Sequence, residues 1–183
     1  MRQVTVATTI SAPREQVYDF VADLAARPAY TDHYLEDYRL ARANPVGKGA
    51  AARFKIRGQY AELSIRDADR PRRIVEELRV GRRGRNRAIA VYDFLPEAGG
   101  TRVELTTYGE PATPIDRLRE FGLAGWMRRN SKKALERLRM IFEDPPDAPL
   151  TRVTVAGFEP HTSARFGAAT GMDPGRRAGG HGS

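Results

Sequence analysis

Glu76 and Tyr92 are the side chains of this 183-residue sequence best placed to do chemistry. Arg72 to Val80 reads as a strand whose inward set is Ile74, Glu76, Leu78 and Val80, so Glu76 is a carboxylate on an otherwise apolar face. Such a group must pair with an arginine, be hydrogen-bonded, or stay neutral with a raised pKa, unless it sits at a wet cavity mouth. The neutral form would suit a general acid/base or a ligand anchor, whereas the arginine pair would be structural. Tyr92 falls inward with Phe94, Ala88 and Ala90. The alanines leave space, the rings line it, and the phenol can reach a ligand carbonyl or satisfy a neighbour. His33, beside Tyr30, Tyr34 and Tyr38, is a third candidate: a proton donor over a cavity mouth, or an exposed or capping histidine.

The elements that position these groups follow from periodicity. Val4, Val6 and Ile10 share one face of an extended segment, and Ser11 with Pro13 signals a helix start whose Val17, Phe20, Val21 and Leu24 pack inward. Arg27 to Tyr38 suggests a broken or very short second helix, its tyrosines serving as lid and wall. Short strands joined by tight turns then run from Ala50 to Tyr108, indicating one antiparallel meander. Phe54 and Ile56 alternate with Arg53 and Lys55, and Leu63 with Glu62 and Ser64, so each strand has a dry face and a polar one. From Pro114 the period changes to three and four. A helix of about 28 residues, ~42 Å long, is enough to cross a curled sheet. Trp126 and Met127 lie on its apolar face, Asn130 and Ser131 interrupt that face, and Gly122 and Gly125 make room beside it. Pro145-Pro146 stops it.

Composition narrows the chemistry. With no cysteine there is neither a disulfide nor a thiolate nucleophile. Walker loop, dinucleotide fingerprint, His-x-x-x-His pair and Gly-x-Ser-x-Gly elbow are all missing from the sequence, so neither a metal nor a cofactor is expected. Apolar runs are too short for a membrane span and no secretory signal is visible, so a cytoplasmic location is the expectation. The formal charge of +8 lies wholly within residues 1–143 and is dominated by arginine, part of which reflects coding bias. Its densest cluster is Arg79, Arg82, Arg83, Arg85 and Arg87, either a solvated hairpin tip or an attractor of nucleic acid, anionic lipid or an acidic ligand.

The strings ISAPREQVYDFVAD, DRPRRIVEEL, YDFLPEAGGTRVEL and KKALERLRMIFE, in that order over about residues 3–143, resemble the helix-grip fold of the START-like (SRPBCC) superfamily, in its polyketide cyclase/dehydrase-like branch. The resemblance implies an α+β fold: a curved antiparallel sheet of six to seven strands around a long C-terminal helix, with two short helices after the first strand. It also implies an elongated internal cavity. The walls expected there are Tyr30, Tyr34, Phe54, Ile56, Leu63, Glu76, Leu78, Tyr92, Phe94, Trp126, Met127, Asn130 and Ser131. Residues 1–143 are expected to form the domain. Residues 144–183 are expected to be a mostly disordered tail, with one candidate strand at 151–158. The leading functional expectation is a carrier or sensor of a small hydrophobic, aromatic or lipid-like molecule, as monomer or homodimer. The alternatives are a cyclase or aromatase using Glu76, Tyr92 and His33, and an RNA- or ribosome-associated regulator using the arginine cluster.

Overall fold

The computed structural model describes residues 3–81, 86–110 and 114–158. The chain runs β1 (Gln3–Ile10), α1 (Arg14–Ala22), α2 (Pro28–Thr31), β2 (Glu36–Leu40), β3 (Ala51–Ile56), β4 (Gln59–Asp69), β5 (Arg73–Val80), β6 (Asn86–Glu97), β7 (Gly100–Glu110), α3 (Pro114–Glu143), β8 (Val153–Thr154) and β9 (Gly157–Phe158). β1 to β7 form one antiparallel seven-stranded sheet in the order β1-β7-β6-β5-β4-β3-β2. Every neighbour except β1–β7 is consecutive in sequence, as expected of a meander closed by its first strand. The architecture is the expected α+β helix grip.

The core lies between this sheet and the helices. Alternation sends Ile10, Phe54, Leu63, Ile65, Ile74, Phe94 and Val103 inward, where they meet Val17 and Val21 of α1 and Ala134, Leu135 and Leu138 of α3. Phe20 packs edge-on to Phe142, 5.6 Å between centroids, and joins the two helices. The Gly100-Thr101 step has a steric cause. A Cβ on residue 100 would meet the Ile10 carbonyl oxygen at 2.0 Å, so only glycine lets β7 start against β1. Buried Thr101 then donates its hydroxyl to the Ala12 carbonyl at 2.8 Å and fixes the turn into α1.

Several details differ from the sequence reading. Ser11 does not cap α1: Pro13 holds the N-cap position, and the Ser11 hydroxyl donates instead to Glu143 at the end of α3. The stretch read as a broken helix holds both α2 and the seventh strand, β2, whose pairing with β3 is irregular near Asp37. Gly125 is exposed and a Cβ there would meet nothing within 4 Å, so close packing does not require glycine at that position. The segment at 151–158 forms a small hairpin with itself. Its buried Val153 donates to the Ala25 carbonyl at 3.0 Å, and Arg152 pairs with Asp23 at 2.7 Å. The disorder expected of the tail beyond 158, with His161 and His181, lies outside the described residues.

Candidate functional site

A cavity of about 80 Å³ lies between the concave side of the sheet and α3. Phe54, Ile56, Leu63, Leu78, Ala88, Ala90 and Leu105 form its sheet wall, and Tyr34, Trp126 and Met127 face them. Glu76, Tyr92, Asn130 and Ser131 also line it. Tyr30 and Phe94 do not: both are buried in the core beside it. Tyr34 meets Trp126 edge-on at 5.9 Å, and Tyr38 stacks on the wall residue Phe54 at 5.5 Å, which braces the aromatic side.

The polar end is organised by Arg27, a residue the sequence reading did not single out. Arg27 leads into α2 and is only 3% exposed. Its Nη2 pairs with Glu76 Oε1 and also donates to the Val21 carbonyl at 3.2 Å. Its Nη1 donates to the Tyr92 hydroxyl at 3.0 Å and reaches Glu76 Oε2 at 3.4 Å. The rings of Tyr30 and Tyr92 lie 5.6 and 5.4 Å from the guanidinium carbon, an arrangement that favours the cation. Burial works against the Arg27 charge, but Glu76 and the surrounding tyrosine oxygens outweigh it and hold the guanidinium firmly protonated. Of the fates open to an inward carboxylate, pairing with an arginine is the one adopted. The available signal was the run Leu24-Ala25-Ala26, buried on one side of Arg27, with Pro28 on the other.

Three polar atoms around this ion pair are buried without a partner: Arg27 Nε, Tyr30 Oη and Tyr38 Oη. Orphaned buried polar groups are costly and call for an explanation. Burial raises the pKa of all four neighbouring tyrosines, Tyr34 to about 12. Each is therefore a hydroxyl donor at neutral pH rather than a proton-transfer group. Tyr92 accepts from Arg27, so its own O–H remains available to donate.

His33 is not among the cavity-lining residues. Its Nε2 faces the Asn130 carbonyl oxygen at 3.3 Å and its Nδ1 faces Arg137 Nη1 at 3.3 Å. A carbonyl only accepts and a guanidinium only donates, so the ring carries its proton on Nε2. Partial burial lowers its pKa, and the cations Arg137 and Lys133 add to that.

A second missed group lies on the opposite face. Glu77, which alternation turns away from the inward set Ile74, Glu76 and Leu78, is nonetheless 1% exposed because Arg66, Arg79 and Arg87 cover it. Desolvation pushes its pKa up, but the three arginine hydrogen bonds prevail and hold it below the usual value. Arg82, Arg83 and Arg85 lie outside the described residues. Among the described residues no three His, Asp or Glu side chains gather as a metal-ligand set, and no helix is long and apolar enough to cross a membrane.

Residues 1–143 match the family described as polyketide cyclase / dehydrase and lipid transport. No curated protein matches the chain at a significant level. Among solved structures, protein MLL2253 from Mesorhizobium loti is similar at a TM-score of 0.62 and 13% identity, over 79% of this chain and 99% of that one. TTHA0849 from Thermus thermophilus is 26% identical, with a TM-score of 0.56 over 75% of this chain and 94% of that one. DynU16, a protein in the dynemicin biosynthetic locus, gives 0.57 at 14% identity over 78% of this chain; the match spans 47% of DynU16's own length.

Proposed function

The chain belongs to the polyketide cyclase / dehydrase and lipid transport family, and we propose that it holds a small, mainly apolar molecule bearing a carbonyl or hydroxyl oxygen at one end. The observation carrying this reading is an apolar cavity ending in a buried ion pair and in the Tyr92 hydroxyl, which accepts from Arg27 and keeps its own O–H to donate. The ligand's hydrocarbon body would replace water against Leu63, Leu78, Trp126 and Met127, and its oxygen would accept from Tyr92.

Binding without chemical change fits the polar groups better than catalysis does. Both Glu76 oxygens are engaged by Arg27, which leaves the carboxylate poorly placed as a general base. Burial makes Tyr92 a reluctant acid, and His33 is not a lining residue. A general acid/base works best with a pKa near the working pH. Size also constrains the cargo. Ligand pockets usually measure about 300–1,000 Å³, and a dry cavity of about 150 Å³ admits benzene. A cavity of about 80 Å³ therefore takes a compact molecule, or one that displaces a wall side chain.

Trp126 is the sole tryptophan and lines the cavity, so its fluorescence reports occupancy. Titration with propan-2-ol and with its hydrocarbon isostere 2-methylpropane, both compact enough for this space, tests the reading. The alcohol is expected to give a saturable change at lower concentration than the hydrocarbon, and Tyr92→Phe to remove the difference. Equal binding of the two would refute the polar end, and no saturable response to either would refute the cavity.

A further inference from the structure

The outer face of the sheet presents a second constellation. Cross-strand pairing sets Arg39 opposite Arg53, Arg53 opposite Glu62, Glu62 opposite Arg79, and Arg79 opposite Arg87. One row thus crosses β2 to β6, about 19 Å at ~4.8 Å per strand. These side chains project opposite to Phe54, Leu63 and Leu78, away from the cavity. On the next rung Lys55 pairs with Tyr60. An open depression of about 550 Å³ lies over Arg39, Arg53, Lys55, Tyr60 and Arg79, with Asp37 and Glu62 as its carboxylates. Among the described residues its four cations outnumber its two acids: Arg53 pairs with Glu62 at 2.8 Å and Lys55 with Asp37 at 2.7 Å, so the excess rests on Arg39 and on Arg79, which shares Glu77.

Two features separate this face from an ordinary solvated one. Glu77 accepts from Arg66, Arg79 and Arg87 while almost fully covered, so one carboxylate fixes three half-exposed guanidiniums of neighbouring strands in place. Tyr60 is 73% exposed, a large ring lying open among these charges with the Lys55 ammonium 5.4 Å from its centroid. Fixed guanidiniums recognise phosphate oxygens, and an open aromatic ring stacks on a base.

We propose that this outer face is a binding surface for single-stranded nucleic acid, with Arg39, Arg53 and Arg79 on the phosphates and Tyr60 under a base. The depression is open and runs across strands, the form suited to an extended chain. A lipid surface would need several apolar anchors here, and Tyr60 is the one large ring in the depression that is exposed. Binding would be independent of base sequence, since the contacts named are to phosphate and to a ring face. It would also be independent of the internal cavity.

The test is fluorescence anisotropy of the full chain with a labelled oligouridine of about twelve nucleotides. Neutralising three phosphates on a single strand gives a log–log salt slope of about −2.1, or roughly eighteenfold weaker binding on going from about 50 to about 200 mM salt. The Arg39→Gln/Arg53→Gln pair should flatten that slope to about −0.7, the share left to Arg79. Tyr60→Ala should weaken binding about five- to hundred-fold, the range for one stacked base. Tyr92→Phe, inside the cavity, should change neither. Circular dichroism melts establish that the variants fold. Three outcomes overturn the proposal: no binding at low salt, binding that Tyr60→Ala leaves intact, and binding to phosphatidylserine–phosphatidylcholine vesicles that the oligonucleotide does not compete away.

Discussion

Breaking the buried Arg27–Glu76 pair from one side should be far more damaging than removing it whole. Both side chains are nearly inaccessible, at 3% and 2%, so either charge left alone would sit in the core without its counter-ion. Removing one partner of a buried pair typically costs about 3–5 kcal/mol, whereas replacing both by apolar groups is often close to neutral. Arg27→Met would strand the Glu76 carboxylate and remove the donors to Tyr92 and Val21. Glu76→Leu would leave the guanidinium with only those two neutral acceptors. Each single variant should therefore lose about 3–5 kcal/mol, which at ~2–4 °C per kcal/mol for a chain of this size is about 6–20 °C in Tm. Simple additivity would put the Arg27→Met/Glu76→Leu double at about 6–10 kcal/mol. The geometry predicts about 1–3 instead, mostly from the Val21 carbonyl left without its donor. Urea unfolding followed by circular dichroism measures all four proteins. A double variant as unstable as the sum, or singles costing under about 1 kcal/mol, would refute the claim that the polar end is a coupled, dry ion pair.

Other consequences concern pH and the outer face. Glu77→Gln removes the anion that three arginines share and should cost about 1–3 kcal/mol, reduced because those arginines are half exposed; urea midpoints measure it, and salt should recover part of the loss by screening. The Glu77 carboxyl sits below its usual value of 4.5, so its contribution is present above that pH and is lost as pH falls through the lower folded value. Acid titration of the wild type should show this loss, and Glu77→Gln should blunt it. His33 acts with the opposite charge type and the same outcome. Its folded pKa lies below 6.5, so on acidification the unfolded chain takes up a proton before the native one does. Native stability should fall as pH drops from 6.5 towards that folded value, and His33→Gln should lack this slope in melts run between about pH 7 and 5.

The fold was legible because its signals are periodic. Alternation placed Phe54, Ile56, Leu63, Leu78 and Tyr92 on one face, and helical spacing placed Trp126 and Met127 opposite, which is where these side chains meet around the cavity. What escaped depends on contacts between elements distant in sequence. Arg27 belongs to no periodic pattern, and its burial follows from a partner 49 residues away. Glu77 has the phase of a solvent residue and is covered only because arginines of β4, β5 and β6 fold over it. β2 was hidden because its five residues begin with two exposed acids and pair irregularly. Ser11 reads as a cap by local chemistry, yet a tertiary partner, Glu143, takes its hydroxyl.

A cavity between the sheet and α3 that receives a ligand should lose that ligand once it is filled. Ala90 lines the cavity and lies opposite Glu76 in the sheet, so Ala90→Leu projects an isobutyl group into a space of about 80 Å³. Overpacking of this kind costs about 1–3 kcal/mol, which a melting curve will register without loss of the fold. Titrated with propan-2-ol and followed through Trp126 fluorescence, the wild type should show a saturable change and folded Ala90→Leu should show none. Identical titrations for the two proteins would mean that the cavity is not where the molecule binds.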